Sequence, residues 1–309
     1  MKIRPLSEPL QKKAIKELFE DPERIHSDIT AIRTWLQKQP HLESVNPSNQ
    51  RIVSFLRGNK YSLERTKEKI DMIYTLRTLV PELFRNRDPF DPKIQRILAK
   101  GVVLPLGKCV SEDGSRPILM SLNNGSCPEC TLEDMMKVSY MIFELLIEED
   151  DNFIIGGEVF ISDFKDVGIS ILSQFTAPFA KKVITSFEKA FPVRVKAVHL
   201  LNTPPGFETA YTLVRKFLSD KLRNRVFLSR SLEQFNEHFP RELLPQEYGG
   251  TNGSIQELTE YWKGKVESYR DWFLAEDKVR SNECLRPEKP KTTCSLFGVE
   301  GSFRKLNID

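Results

Sequence analysis

Seven basic side chains, Arg194, Lys196, Arg215, Lys216, Lys221, Arg223 and Arg225, fall in the interval 194–225 against two acids, Glu208 and Asp220. A cluster of one sign on an otherwise apolar segment is suited to holding an anionic group. In the run Val193 to Leu201, strand alternation would put Arg194, Lys196, Val198 and Leu200 on one face, polar at one end and greasy at the other. Lys221 and Arg225 are four apart and would be neighbours if the helix before them continued that far. On patterning alone, a solvated basic face over an ordinary core stands beside the anion-site reading. Other chemistry is sparse. The four histidines (His26, His41, His199, His238) are scattered, and there is no GxSxG elbow, GxxxxGK loop or HExxH pair. The chain is therefore not expected to be an enzyme. Cys127-Pro128-Glu129-Cys130 has CxxC spacing, but a zinc site needs two more ligands and neither a second CxxC nor an HxxxH is present. A plain loop, a redox pair and a metal site all remain readings of that motif, and no metal is expected.

The elements that must position the basic cluster alternate. GEVFISDFKDVG (from Gly157) reads as a strand running into a turn, ILSQFTAPFAKKVITSFEKAF as an apolar helical segment, and Val193–Leu201 as the next strand. After Asn202-Thr203-Pro204-Pro205 an amphipathic helix is predicted from Gly206 to about Asp220, with Phe207, Tyr211, Val214, Phe217 and Leu218 on one stripe. This β–α–β–α order argues for a parallel or mixed sheet covered by helices. Upstream, Val102–Leu106 and Pro117–Leu122 flank SEDGSR as a β-hairpin. Thr131 caps a helix of about eighteen residues, with Asp134 in the capping-box position. That helix ends in Glu148-Glu149-Asp150-Asp151, an unfavourable charge for a helix C-terminus and readable only as a solvated turn.

The first hundred residues read as short helices, with Ser7, Ser62 and Asp91 as starts and Pro40 and Pro81 as stops. Ser254 to about Val279 reads as one charged helix, followed by an extended tail. The expected division is thus a helical module over 1–100, an α/β domain over 101–253, and a C-terminal helix and tail over 254–309. At 309 residues and a net charge of +3, the chain can bury a sizeable core, and its bulk charge does not point to nucleic acid. No apolar run is long enough to span a bilayer, and MKIRPLSEPLQKK has no signal-peptide h-region, so a soluble, cytoplasmic protein with free thiols is expected.

FISDFKDVG, FPVRVKAVHLLNTP, FLSDKLRNRV and FPRELLPQEYGG, in that order and spacing, resemble the CRAL-TRIO lipid-binding domain of tocopherol and retinaldehyde transfer proteins. RIVSFLRGNKYSLERTKEKI (51–70) is similar to the helical module that accompanies it. The resemblance implies a mixed sheet flooring a closed apolar pocket, with the helix after the N-x-P turn as a lid. The lid side chains would be Phe207, Tyr211, Val214, Phe217 and Leu218, and Thr203-Pro204-Pro205 one hinge.

By the same resemblance Arg194, Lys196, Lys221 and Arg225 match phosphoinositide contacts. A further contact falls on Asn59 in FLRGNK, where the family carries an arginine, and Lys60 is the candidate substitute. Ser139, Phe143, Phe160, Ser162, Phe187 and Val198 match pocket positions; the three phenylalanines are bulkier than their usual counterparts and favour a ring-bearing or polyene ligand over a phospholipid. His199 matches a strand histidine of structural kind. The implied function is a cytosolic carrier of a retinoid, carotenoid or tocopherol-like lipid, associating transiently with membranes that bear phosphatidylinositol bisphosphate. It would need no cofactor beyond that bound ligand. The alternative is a module that reads phosphoinositides as a membrane address without transferring lipid.

Overall fold

A computed structural model describes residues 3–298 except 113, 122–128 and 205–206. The N-terminal third is helical: α1 (Glu8–Leu18), α2 (Ile25–Gln37), α3 (Asn49–Gly58), α4 (Leu63–Leu79), α5 (Pro81–Phe84) and α6 (Pro92–Ala99). Their starts follow from local chemistry. Ser48 accepts from the Arg51 amide at 2.9 Å, Ser62 from the Arg65 amide at 3.4 Å, and Asp91 from the amides of Lys93 and Ile94. Ser7, by contrast, sits at the N-cap of α1 without a side-chain capping bond.

The sheet has five strands in the order β1 (Val103–Pro105), β2 (Arg116–Ser121), β3 (Glu158–Asp163), β4 (Val195–Leu201) and β5 (Val226–Ser229). β1 and β2 are antiparallel, as the hairpin reading expects, and every later pair is parallel. Because sequence order equals spatial order, right-handed crossovers put all the connecting helices on one face. These are α7 (Leu132–Glu149), α8 (Ile169–Leu172), α9 (Ala177–Thr185), α10 (Phe207–Arg215) and α11 (Asp220–Arg223). Period-two alternation divides the strands accordingly. Ile118, Phe160, Val198 and Leu200 face these helices, while Leu119, Val159, Ile161 and Leu201 face the opposite layer. That layer is α12 (Leu232–Asn236) with the turns after it, through Phe235, Phe239, Leu243 and Leu244. α13 (Ile255–Ser268), α14 (Arg270–Glu276) and α15 (Thr293–Phe297) follow among the described residues. One continuous buried core runs from Ile32 and Ile52 through Phe84 and Tyr140 to the sheet.

Several expectations need correcting. The helix after the N-x-P turn stops at Arg215, and Ser219 caps a separate turn, α11, through the Leu222 amide. The C-terminal helix breaks at Tyr269 into α13 and α14. The acidic end of α7 is an ion-paired joint rather than a solvated turn. Arg51 meets Glu148 at 2.9 Å, Arg116 meets Asp150 at 2.6 Å, Arg4 meets Asp151 at 2.6 Å, and Lys265 pairs with Glu149. Four cations from distant chain positions thus neutralise a charge that the helix dipole alone would oppose. Cys130 is disulfide-bonded, which overturns the free-thiol reading there. Cys109, Cys284 and Cys294 are free, and Cys127 lies outside the described residues.

Candidate lipid cavity and basic basin

β4 organises the site, with one irregularity. Val195 pairs with Glu158 and Ala197 with Val159, leaving Lys196 as an extra residue in a β-bulge. The bulge resets the alternation, so Val195 joins Val198 and Leu200 on the helical side. The expected face of Arg194, Lys196, Val198 and Leu200 is therefore not formed. Gly157, at φ +88°, permits the close approach that begins this pairing, since a Cβ there would lie 2.4 Å from the Arg194 carbonyl oxygen.

Between the sheet and α8–α11 lies an apolar cavity of about 430 Å³. Its floor is Met120, Phe160, Ser162, Val195, Val198, Leu200 and Val226. Leu172, Phe175, Phe179, Val183 and Phe187 close one side, and Phe207, Tyr211, Val214 and Leu218 close the top. Among the described residues no charged side chain lines it; the polar side chains are the Ser162 hydroxyl and the Tyr211 phenol. Of the sequence candidates, Phe160, Ser162, Phe187 and Val198 reach the lining together with four of the five lid positions, whereas Phe217 sits in the turn beyond α10. Ser139 and Phe143 are not on the lining. Ser139 Oγ donates to the Met135 carbonyl at 2.8 Å. Phe143 stands one layer back, its ring 5.8 Å from Phe160 and 5.5 Å from Phe187. Of the lining residues unassigned from sequence, Leu172 ends α8, Phe175 lies in the turn after it, and Phe179 and Val183 are one turn apart on α9, a spacing readable in the chain.

The start of the top layer is anchored. Asn202 adopts φ +54° and donates to Asp163 Oδ1 at 2.8 Å, and the Tyr248 hydroxyl donates to Asp163 Oδ2. Pro204 lines the cavity, while Pro205 and Gly206 lie outside the described residues. His199 faces the other layer, packed among Phe227, Phe235 and Phe239. Burial pulls its pKa down to about 4, so it is neutral and structural in character.

On the outer side of the same wall is a second hollow of about 730 Å³, and its lining is basic. Lys60, Arg194, Lys221 and Arg225 meet here, with Asn59 beside them; Lys196 does not reach the lining. Burial, and then Arg194, lowers the pKa of Lys196. Arg65, Lys69, Lys189 and Lys291 also contribute, and sequence reasoning had not assigned them. The signal for Arg65 and Lys69 was their i,i+4 spacing on one face of α4. Gly58 lets the end of α3 close against this hollow, as a Cβ there would lie 2.1 Å from the Pro192 carbonyl oxygen. Lys60 and Tyr61 both hold left-handed backbone, φ 53° and 55°. Tyr61 is tied down by its hydroxyl's bond to Glu20 at 2.8 Å, and Lys60 lies over the Phe19 ring.

The electrostatics are those of mutual repulsion. Burial, then Arg225, Arg194, Lys60 and Arg65, lowers the pKa of Lys221. Burial brings Lys69, whose ammonium donates to the Phe191 carbonyl at 2.5 Å, down to about 8. Three carboxylates, Glu68, Asp71 and Glu188, line the hollow against eight cations. Burial pushes Glu158 up to about 8, and its carboxyl receives the Arg194 amide at 2.9 and 3.0 Å. Glu188 accepts the Ser219 amide at 3.1 Å. Phe187, Val195 and Leu222 line both hollows, so a partition of three apolar side chains separates cavity from basin.

Comparison with known proteins fits this arrangement. Residues 109–250 match the CRAL/TRIO domain, and residues 21–94 match a Pinta-like, UBA domain. Alpha-tocopherol transfer protein-like from Homo sapiens is 30% identical over 272 residues, covering 88% of this chain and 78% of that protein. Clavesin-1 from Rattus norvegicus is 29% identical over 249 residues, covering 80% of this chain and 69% of the relative. The crystal structure of Sfh5 superposes on 85% of this chain and 98% of its own, at 13% identity and a TM-score of 0.44. With its helical N-terminal region and five-stranded mixed sheet, the chain belongs to the CRAL/TRIO domain family, whose members typically bind and transfer hydrophobic ligands.

Proposed function

We propose that this protein carries a small ring-bearing or polyene lipid, of retinoid, carotenoid or tocopherol-like kind, in the cavity under α10, and exchanges it at membranes that display phosphoinositides. The observation that carries the reading is the thin partition. An uncharged cavity and a basin of self-repelling cations share Phe187, Val195 and Leu222. Burying a hydrocarbon chain is worth roughly 0.8 kcal/mol per CH₂, so such a cavity competes with a bilayer for its guest. Six phenylalanine rings on the lining, Phe160, Phe164, Phe175, Phe179, Phe187 and Phe207, together with Tyr211, favour a flat conjugated or ring-bearing guest over two flexible acyl chains. Ser162 and Tyr211 offer hydroxyls to a polar end group of the ligand.

Each basic residue near an anionic surface adds about 1 kcal/mol of attraction, which makes docking readily reversible. Leu222 sits on α11 between Lys221 and Arg223. An anion that draws Lys221 and Arg225 together would shift the residue that closes the cavity, linking headgroup binding to ligand exchange. The test is to purify the protein from a lipid-rich host, extract it with solvent, and run mass spectrometry with an absorbance scan. A stoichiometric retinoid, carotenoid or tocopherol is expected. A phospholipid would overturn the ligand class, and a protein that stays empty when offered these lipids would overturn the carrier reading in favour of a membrane-address module.

A further inference from the structure

The C-terminal tail, which lies outside the sequence resemblance, reaches the basin. Beyond α14 the chain returns along α4. The Ser281 amide donates to the Tyr74 carbonyl at 3.1 Å, and Thr78 Oγ1 donates to the Ser281 carbonyl at 2.6 Å. Arg286 grips both oxygens of Asp71, at 2.8 and 3.0 Å, and Glu283 at 2.6 Å through Nε. The Lys291 amide then donates to Glu283 Oε2 at 2.9 Å, and further on α15 buries Phe297. Lys291 is thus pinned on both sides. Its ammonium pairs with Asp71 and stands on the basin lining with Lys69, Lys221 and Arg225. Asp71 has more partners than it needs, because Arg286 alone occupies both of its oxygens and His41 Nε2 adds a hydrogen-bond contact at 2.9 Å. Lys291 can therefore turn to an incoming anion without leaving Asp71 unpaired.

We propose that Lys291 is a ligand of the phosphorylated headgroup in the basin, so that tail docking and anion binding support each other. The inference rests on the basin being a headgroup site. A phosphate ester cluster, from a lipid or a free inositol phosphate, is the chemistry it would take, as lysines act as point charges toward phosphate. By linkage, a bound anion that uses Lys291 stabilises the docked tail, and an undocked tail weakens the anion equally.

The test titrates the full chain with inositol 1,4,5-trisphosphate by calorimetry. In parallel, phosphatidylcholine vesicles with and without phosphatidylinositol 4,5-bisphosphate are sedimented. Lys291→Gln is expected to weaken the trisphosphate about fivefold to tenfold, with an unchanged melting temperature. Hydrogen exchange at amides 283–297 should slow on trisphosphate binding in the parent and not in the variant. If Lys291→Gln binds trisphosphate as the parent does while Lys221→Gln loses affinity, the tail proposal is overturned and the basin reading stands. If neither variant loses affinity, both fail. A loss seen only with vesicles would place Lys291 on the bilayer surface instead of in the basin, which also overturns the proposal.

Discussion

Two groups of cations in this molecule differ in what surrounds them. Arg51, Arg77 and Arg87 converge on Glu144, at 3.6, 2.8 and 3.0 Å, and all four side chains are nearly sealed from solvent. Glu148, Glu276 and Asp277 each add a second carboxylate to one of the three arginines, although Arg51 Nε and Nη2, Arg77 Nε and Arg87 Nη2 make no hydrogen bond. Burial alone would raise the Glu144 pKa, but Arg77, Arg87 and Arg51 outweigh it and hold the carboxylate at about 2. In the basin, Arg225, Arg194, Lys60 and Arg65 all act to lower the pKa of Lys221, and eight cations on the lining face three carboxylates, Glu68, Asp71 and Glu188, with Arg194 also pairing with Glu17 at 3.4 Å. The first group is a closed account that ties α3, α4 and α7 together. The second, in the proposed function, is completed by an anion. Residue type does not separate the two groups; the balance of carboxylates around them does.

The largest expected effect breaks the closed group. Glu144→Gln leaves three buried guanidiniums short of their central charge and should cost about 3–5 kcal/mol in a urea melt, the usual penalty for breaking a buried pair. Vesicle binding by the fraction that folds should be unchanged. If Glu144→Gln is as stable as the parent, the contrast collapses. The open group should respond the other way. Lys221→Gln with Arg225→Gln should lower affinity for phosphoinositide vesicles by about 2 kcal/mol, roughly thirtyfold, at about 1 kcal/mol per charge. Stability should stay within about 1 kcal/mol, since relief of repulsion offsets the lost bond from Arg225 to the Val195 carbonyl. A large drop in stability without loss of docking would make these residues structural and sink the distinction.

Local chemistry was the legible part of this chain. Thr131 and Asp134 form the expected capping box, Ser62 and Asp91 start helices where they should, and β3 and β4 stand where apolar alternation put them. What could not be read depends on partners far along the chain. The bulge at Lys196 exists only relative to β3, yet it decides whether Val195 or Arg194 joins Val198 at the cavity. β5 is a short edge strand of four residues, defined by its pairing with β4. Ser139 and Phe143, assigned to the pocket by the resemblance, lie on a helix buried on nearly every side and stand in the layer behind the lining. The acids ending α7 read as a dipole conflict because Arg4, Arg51, Arg116 and Lys265 come from four different segments. The resemblance supplied what periodicity could not, gathering Lys60, Arg194, Lys221 and Arg225 around one hollow.

The finest test of the comparison is pH. Glu144 stays charged through the physiological range, so the closed group should be indifferent between pH 7 and 9. Beneath the basin, Glu158 is pushed up to about 8 and Lys69 brought down to about 8, both chiefly by burial. Each therefore loses a proton over that interval, and each loss removes positive charge from the field that an anion would feel. Trisphosphate affinity should fall several-fold from pH 7 to pH 9, and Glu158→Gln should blunt the fall by removing one of the two steps. Stability carries a matching sign. A carboxyl raised from its unfolded value of about 4.3 binds its proton more tightly when folded, so stability declines as pH rises from there toward 8. Glu158→Gln should flatten that decline in thermal melts at pH 5 and 8. A pH-independent affinity in the parent would mean that Glu158 does not set the charge of the basin, and its burial would then belong with the structural group.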